Sequence, residues 1–435
     1  MKRIGVGLLG LGTVGTGVFK ALKNNQDVIL KRTELLFEIK GILVRNPSKK
    51  RNLEGVQSYI TTDYQDVLES DVQVMIEVIG GLEPARTYIE QAFEAGCHVV
   101  TANKELIAKH GLELAKKAQK NGVQLLYEAS VGGGIPILGT MQHFLKGSRL
   151  HRITGILNGT TNYILTRMTE EKASFGEVLA DAQHQGYAEA DPTSDVEGLD
   201  AAYKLSILSR LAFETHVPVD QISRTGIQDI TPDELAICHQ LGYAVKLLAK
   251  GEQFGEKGPV SLQVGPALLP LSHPLAKVNG VYNAIHLEGD LVQDVTLMGQ
   301  GAGEQPTASA VIEDLCNVFR LPYLKNTCSD STSGLSVTDE GGSRFVYVKT
   351  KKPVSRNLKE IQQSLSRNGY TVERLSTDPE TGRNLGLIVR HWDSAYECSL
   401  PEDLDGDMVV NRPVSGGQFA DDMDVHEPQV ILETL

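Results

Sequence analysis

Short apolar runs alternate with helix-period stretches over roughly the first 130 residues. Ile4–Leu9 is a strand-length apolar run, and an amphipathic stretch follows it to about Lys23. Further strands are predicted at Phe37–Val44, Tyr59–Thr61, Val72–Val78, Cys97–Thr101 and Val123–Tyr127, with helices at Pro84–Ala95 and His110–Gln119 among them. Strands and helices repeating at this length predict a parallel sheet with helices on both faces. Ligands of such sheets collect beyond the carboxyl ends of the strands. The connection from Asn24 to Leu36 is longer than these units usually have.

After residue 130 the pattern changes. Leu150–Leu157 reads as a strand, Phe175–Gln185 as a helix, and the stretch from about Gly198 to Glu214 as another helix. Thr231-Pro232-Asp233-Glu234 has the form of a capping box with proline at the first helical position, and predicts a helix to about Leu248. Val260–Leu269, Tyr282–Leu287 and Leu291–Leu297 are rich in β-branched residues and separated by Pro and Gly turns, which predicts an open sheet with one exposed face. A helix reaching about Phe319 follows, and Thr327–Ser343 turns to Ser, Thr, Gly and Asp, the composition of a linker. Beyond it, strand Arg344–Thr350, helix Asn357–Arg367 and strands Thr371–Leu375 and Asn384–His391 predict a small α+β domain. In order and size this domain resembles a regulatory ACT domain. Its first turn reads Lys351-Lys352-Pro353-Val354 instead of the usual Asp-x-Pro-Gly, so a purely oligomerising module is the alternative.

The expected fold class is therefore α/β. A Rossmann-type dinucleotide-binding domain spans 1–130 and is completed by 299–325. An α+β domain spans 131–298, and linker 327–343 leads to an ACT-like domain at 344–435. A chain of 435 residues suits two or three domains, and 41% apolar with 22% charged residues suits sizeable soluble cores. The formal charge of −13 argues against nucleic acid or an anionic membrane as partner. No apolar run is long enough to span a bilayer, and no signal-peptide series opens the chain. Cys97, Cys238, Cys316, Cys328 and Cys398 are odd in number and scattered, and read as reduced thiols of a cytoplasmic enzyme.

Gly10-Leu11-Gly12-Thr13-Val14-Gly15 sits between the first strand and its helix, the context the dinucleotide fingerprint requires. The glycines make the turn, admit a pyrophosphate to the backbone and allow close helix packing, while Thr13 and Val14 open the helix whose N–H groups meet the phosphates. At the second strand's end, where NAD-selective sites usually place an acid, stands Arg45, followed by Lys49, Lys50 and Arg51. A guanidinium there pairs with a 2′-phosphate, so NADP(H) is the expected cofactor, with NAD(H) the alternative. A solvated basic loop is the competing reading.

Ala182–Lys204 holds the acids Glu189, Asp191, Asp195, Glu197 and Asp200, and Asp191-Pro192 interrupts any helix there. Asp200 and Lys204 share a helix face that continues through Ile207, Leu208 and Leu211. A lysine on a buried face loses solvation of its charged form and suits proton transfer. A structural ion pair at the head of a core helix fits the spacing equally. Thr101-Ala102-Asn103-Lys104 follows a strand near the expected nicotinamide pocket, where Lys104 reads either as a solvated loop residue or as part of the site. Glu128 precedes Val131-Gly132-Gly133-Gly134-Ile135, a glycine run that serves either as a domain hinge or as carbonyls turned toward a cation. Asn158-Gly159-Thr160-Thr161-Asn162 is a polar cluster that turn chemistry alone could explain. Gly299-Gln300-Gly301-Ala302-Gly303 feeds another helix start, with Glu304 opening it, and could hold a second side of the nicotinamide.

These stretches together resemble homoserine dehydrogenases over about residues 1–325. The densest match is the run Ala-x3-Gly-Tyr-Ala-x2-Asp-Pro-x2-Asp-Val-x-Gly-x-Asp-x3-Lys from Ala182 to Lys204. The resemblance implies NAD(P)H-dependent, reversible reduction of L-aspartate 4-semialdehyde to L-homoserine. By it, Lys204 and Lys104 lie in the active site, Glu189 (with Asp195 nearby) binds the substrate ammonium, the cluster Asn158 to Asn162 faces cofactor and substrate, and Asn103, Lys104, Gly301 and Glu304 border the cofactor. It also implies a monovalent cation, expected to be sodium, on Glu128, Val131, Gly133 and Ile135, and makes 131–298 the substrate-binding and dimerisation domain of a homodimer or homotetramer built on the open sheet. The chemistry asks for a proton donor and positive charge near the developing alkoxide, which the two lysines can supply. Lys204 is the expected donor with Asp200 orienting it, and Lys104 binds or relays protons. An aspartate-semialdehyde dehydrogenase would need a nucleophilic cysteine with a histidine partner, and no cysteine has that setting. A sensing protein on an oxidoreductase fold remains the reading outside enzymes. No kinase-like segment precedes the first strand, which argues against a fused aspartokinase.

Overall fold

The computed structural model describes residues 2–256, 258–320, 343–350, 353–354, 358–367, 369–378, 381–390, 406–415 and 429–430. The expected linker (save Ser343), the Lys351-Lys352 turn, Cys328 and Cys398 lie outside the described residues. The chain divides into two compact units, one of Met1–Ile153, Ala202–Ile222 and Leu287–Ser333, the other of Thr154–Ala201, Ser223–His286 and Gly334–Leu435.

In the first unit β1 (Lys2–Leu9), β2 (Leu35–Leu43), β3 (Ile60–Thr61), β4 (Val74–Glu77), β5 (His98–Thr101) and β6 (Leu125–Leu126) form a parallel sheet in the order β3-β2-β1-β4-β5-β6. This is the doubly wound order, whose switch point falls between β1 and β4. β1 is a nearly continuous apolar run because both of its faces are covered. Ile4, Val6 and Leu8 are buried with Val18 and Leu22 of the following helix and with Val311 and Leu315 of helix Glu304–Asn317. Each such leucine contributes about 1.5–3 kcal/mol by leaving water. The long connection after Asn24 proves to be a further helix, Gln26–Thr33, which ends where Glu34 turns left-handed at φ 62°. The helix expected from His110 begins earlier, at Lys104, because the Asn103 side chain accepts the Leu106 N–H at 3.1 Å and caps it.

The second sheet is mixed. It contains β7 (Leu150–Ile156), β8 (Ser223–Arg224), β9 (Tyr243–Gln253), β10 (Val260–Pro270), β11 (Tyr282–Gly289) and β12 (Gln293–Gln300), in the order β12-β11-β7-β9-β10-β8. β9 and β10 are antiparallel, and β8 joins β10 in parallel. Here the helix predicted to Leu248 is corrected: it covers Pro232–Gln240, and β9 starts at Tyr243. Gly242, at φ 86°, makes the turn between them. The predicted capping box is only half formed, since Thr231 accepts the Glu234 N–H at 3.3 Å while the Glu234 carboxylate pairs with Arg412.

The C-terminal sheet comprises β13 (Arg344–Thr350), β14 (Thr371–Thr377), β15 (Asn384–Arg390), β16 (Gly406–Pro413) and β17 (Gln429–Val430) in the order β16-β13-β15-β14-β17. Helix Leu358–Arg367 covers one face, with Leu358 and Leu365 packed among Val346, Val348 and Leu387. The opposite face lies on helix Pro232–Gln240 of the same unit. Gly386 comes so close to Ile237 that a Cβ there would stand 2.2 Å from its Cγ2. Arg374 donates to the Leu241 carbonyl at 2.6 Å, and Ser376 to Gln240 at 2.8 Å. Among the described residues no helix is long and apolar enough to cross a membrane, and Cys97, Cys238 and Cys316 are free thiols.

Candidate active site

The turn after β1 is shaped by what its glycines lack. Gly10 sits at φ 105°, and a Cβ on Gly15 would lie 2.2 Å from the Gly10 carbonyl oxygen. Gly12 differs from both, since a Cβ there would meet nothing within 4 Å. Its backbone faces open space at the start of helix Thr13–Asn24, which has no side-chain cap and no acid in its first turn. Uncapped N–H groups beside an unobstructed glycine form a surface a pyrophosphate can approach. Thr13 is exposed there and Val14 half-buried. Helix Glu304–Asn317 packs against this helix, with the Glu304 carboxylate 2.7 Å from Lys20 Nζ.

Arg45 is exposed just past the end of β2. Arg51 instead folds back, donating to the carbonyls of Asn46 and Lys49 at 3.0 Å each, and so shapes the loop that presents Arg45.

Beyond β4 and β5 lies a hydrogen-bonded ring that sequence reasoning missed. Glu77, fully buried as the last residue of β4, accepts the N–H groups of Ile79 at 2.8 Å and Gly80 at 3.2 Å, and the Thr101 hydroxyl at 2.5 Å. Thr101 Oγ1 accepts the Asn103 N–H at 3.0 Å, and Asn103 Nδ2 returns to the Gly81 carbonyl at 2.6 Å. Burial raises the Glu77 carboxyl pKa, opposed by these hydrogen bonds. Asn103 thereby caps the helix whose first residue is half-buried Lys104.

The acid loop is organised by Asn158, whose bonds to two of its acids the sequence did not disclose. Its Nδ2 donates to Asp195 at 2.7 Å and to Asp200 at 2.9 Å, while its Oδ1 caps helix Gly159–Glu171 at the Thr161 N–H, 2.8 Å away. Both amide hydrogens thus go to carboxylates. Asp200 and Lys204 stand one turn apart on helix Leu199–Phe213, and both are buried, Lys204 at 7% exposure. Asp191 is tied to the hydroxyl of Thr193 at 2.6 Å, which with the Thr193 N–H lowers its pKa. Glu189 and Glu197 are exposed. Lys246, 3% exposed, donates to Asn162 at 3.1 Å, to the Val278 carbonyl at 2.6 Å and to Asn279 at 2.9 Å.

Glu128 accepts the N–H groups of Leu138 at 2.9 Å and Gly139 at 2.6 Å, and its own N–H is held by Asp314 at 2.8 Å. Burial pushes Glu128 up to about 7 and Asp314 well above its ordinary range. Val131, Gly133 and Ile135 follow, all buried, and a Cβ on Gly133 would lie 2.5 Å from the carbonyl carbon and oxygen of Gly301. The two glycine runs therefore touch, and Gly301 is buried against Gly133. A buried carboxylate beside a second buried acid is a setting whose cost a bound cation would offset, and the Ile135 carbonyl already accepts the Ile137 N–H at 2.8 Å.

A family profile for the NAD-binding domain of homoserine dehydrogenase matches residues 10–128, and one for homoserine dehydrogenase matches residues 136–316. The homoserine dehydrogenase of Bacillus subtilis is 41% identical over 423 residues, covering 95% of this chain and 97% of the relative. The chain belongs to the homoserine dehydrogenase family. It is accordingly an NAD(P)-dependent oxidoreductase of amino-acid biosynthesis. A homoserine dehydrogenase crystal structure from Thiobacillus denitrificans superposes with a TM-score of 0.80 at 33% identity, covering 95% of this chain and 99% of that one. A hyperthermophilic archaeal homoserine dehydrogenase in complex with NADPH superposes with a TM-score of 0.61 at 25% identity, covering 74% of this chain and all of the other.

Proposed function

We propose that this homoserine dehydrogenase reduces L-aspartate 4-semialdehyde to L-homoserine, reversibly, with Lys204 as the proton donor. The observation that carries the reading is a lysine almost sealed from water, one helical turn from an aspartate that Asn158 ties to a second acid. The bound nicotinamide supplies the hydride. Lys204 gives a proton to the aldehyde oxygen as that oxygen becomes an alkoxide, and Asp200 orients the ammonium. Lys104 adds positive charge to the oxygen or relays protons to it. Glu189, exposed on its loop, and Asp195 receive the substrate's α-ammonium, so that holding the amino-acid end fixes the reacting carbon.

The uncapped glycine turn Gly10–Gly15 holds the pyrophosphate, and Asn103, Lys104, Gly301 and Glu304 border the nicotinamide half. Arg45 supports a preference for NADP(H) over NAD(H), because no carboxylate stands between Leu43 and Asn52 to claim a ribose 2′-hydroxyl. The setting of Glu128 supports a monovalent cation, taken to be sodium, with the carbonyls of Val131, Gly133 and Ile135 as further ligands. Exposed Leu291 and Met298, at 72% and 62%, support assembly into a homodimer or homotetramer through the second sheet.

The deciding experiment mixes the protein with aspartate semialdehyde and NADPH or NADH and follows nicotinamide absorbance. Oxidation of the reduced cofactor with formation of homoserine is expected, faster with NADPH. Absence of turnover with either cofactor would sink the proposal. In the same assay Arg45→Asp is expected to move the preference toward NADH, and an unmoved preference removes Arg45 from its role.

A further inference from the structure

Glu77 has no place in the chemistry above, yet it is a carboxylate withdrawn entirely from water at the carboxyl end of β4. An uncompensated buried carboxylate is costly, and a strand end needs no acid in order to fold. Its two oxygens accept from two loops, through the N–H groups of Ile79 and Gly80 on one and the hydroxyl of Thr101 on the other. Asn103 closes the ring by donating to both loops, its N–H to Thr101 Oγ1 and its Nδ2 to the Gly81 carbonyl. The same Asn103 caps the helix that Lys104 opens. Moving the Thr101 hydroxyl would therefore move the first turn of that helix, and with it Lys104.

We infer that Glu77 is a positioning residue, which holds Lys104 in place through the Thr101–Asn103 turn while touching neither substrate nor cofactor itself. This rests on the placement of Lys104 in the proposed active site. A carboxylate is suited to the task because both of its oxygens only accept, whereas an amide in its place offers one donor where the Thr101 hydroxyl also donates. A displacement of about an ångström at a catalytic group can cost about a hundredfold in rate, so a modest loosening of the turn should be visible.

The test is a double-mutant cycle of Glu77→Gln and Lys104→Ala. It is read in the dissociation constant of homoserine from the cofactor-loaded protein, which remains measurable when turnover is lost. Glu77→Gln should lower kcat by about tenfold and weaken homoserine binding. In the Lys104→Ala background it should add nothing, because its effect passes through Lys104. Thr101→Val, which removes only the hydroxyl link, should reproduce both results and decides the matter if Glu77→Gln fails to fold. Additive losses, or wild-type kcat in both variants, overturn the inference and leave the proposed function standing. If Lys104→Ala is as active as the wild type, the reading of Lys104 falls and this inference falls with it. If the wild-type protein binds no homoserine at all, the proposed function falls first.

Discussion

Residues 10–15 and residues 182–204 are shaped by contrasting means. The glycine turn works through missing side chains: Gly15 lets the helix approach the Gly10 carbonyl, and Gly12 leaves its backbone open. The acid loop works through side chains fastened from a distance, as Asn158 reaches residues 37 and 42 positions ahead to gather Asp195 and Asp200. Adding a single methyl group should therefore damage the first region, and removing a single amide the second. A backbone surface suits a cofactor part common to every turnover, such as a pyrophosphate. Directed side chains suit a small substrate whose charged end must be told from others.

The largest effect expected is that of Lys204→Ala, a fall in kcat of about a thousandfold with cofactor binding retained, measured by steady-state kinetics and cofactor titration. Near-normal turnover would remove Lys204 from the proton-donor role and leave the buried pair with Asp200 a structural feature. Asn158→Ala comes next. It should raise the KM for the semialdehyde by about tenfold or more and cost about 1–2 kcal/mol of stability through the lost helix cap, with the cofactor dissociation constant unchanged. An equal loss in cofactor and substrate binding would break the proposed division of labour.

Gly12→Ala should do the converse, weakening cofactor binding by about tenfold at an unchanged unfolding midpoint, since the added carbon meets no protein atom within 4 Å. Gly15→Ala, whose new carbon would stand 2.2 Å from a carbonyl oxygen, should lower that midpoint as well. The remaining effect is on stability alone and concerns Lys246, another side chain that fastens distant segments. Burial lowers its pKa from 10.5 to about 8. Between those values the unfolded chain holds a proton that the folded chain has shed, so stability should rise with pH from about 8 to 10.5 and carry the full cost of the buried charge below 8. Urea melts across that range should show the slope in the wild type, and Lys246→Met should flatten it. A slope that persists in the variant belongs to other groups.

The contrast also explains which parts were legible in the chain. The first strand, its turn and its helix were read correctly because each glycine requirement is local, set by a turn angle or by an approach within a few residues. The helix expected to Leu248 failed because Gly242 and the strand pattern after it were subordinated to a strong start signal at Thr231. Its capping box was half formed because Arg412, 178 residues on, takes the glutamate that would have closed it. Glu77 and the part played by Asn158 were not legible, since neither residue carries a local pattern that names its partners.

From the order of its residues alone, this chain determined a parallel nucleotide-binding sheet, an acid-rich loop before a buried lysine, and membership of a family. Those properties depend on period, glycine placement and short-range spacing, which a linear chain displays. Only the tertiary structure decided that Glu77 joins two loops beyond adjacent strands and that Asn158 fastens two acids. It also laid the C-terminal sheet against helix Pro232–Gln240. In each case a buried polar group had to find its partner in space, and the identity of that partner is set by packing across the fold.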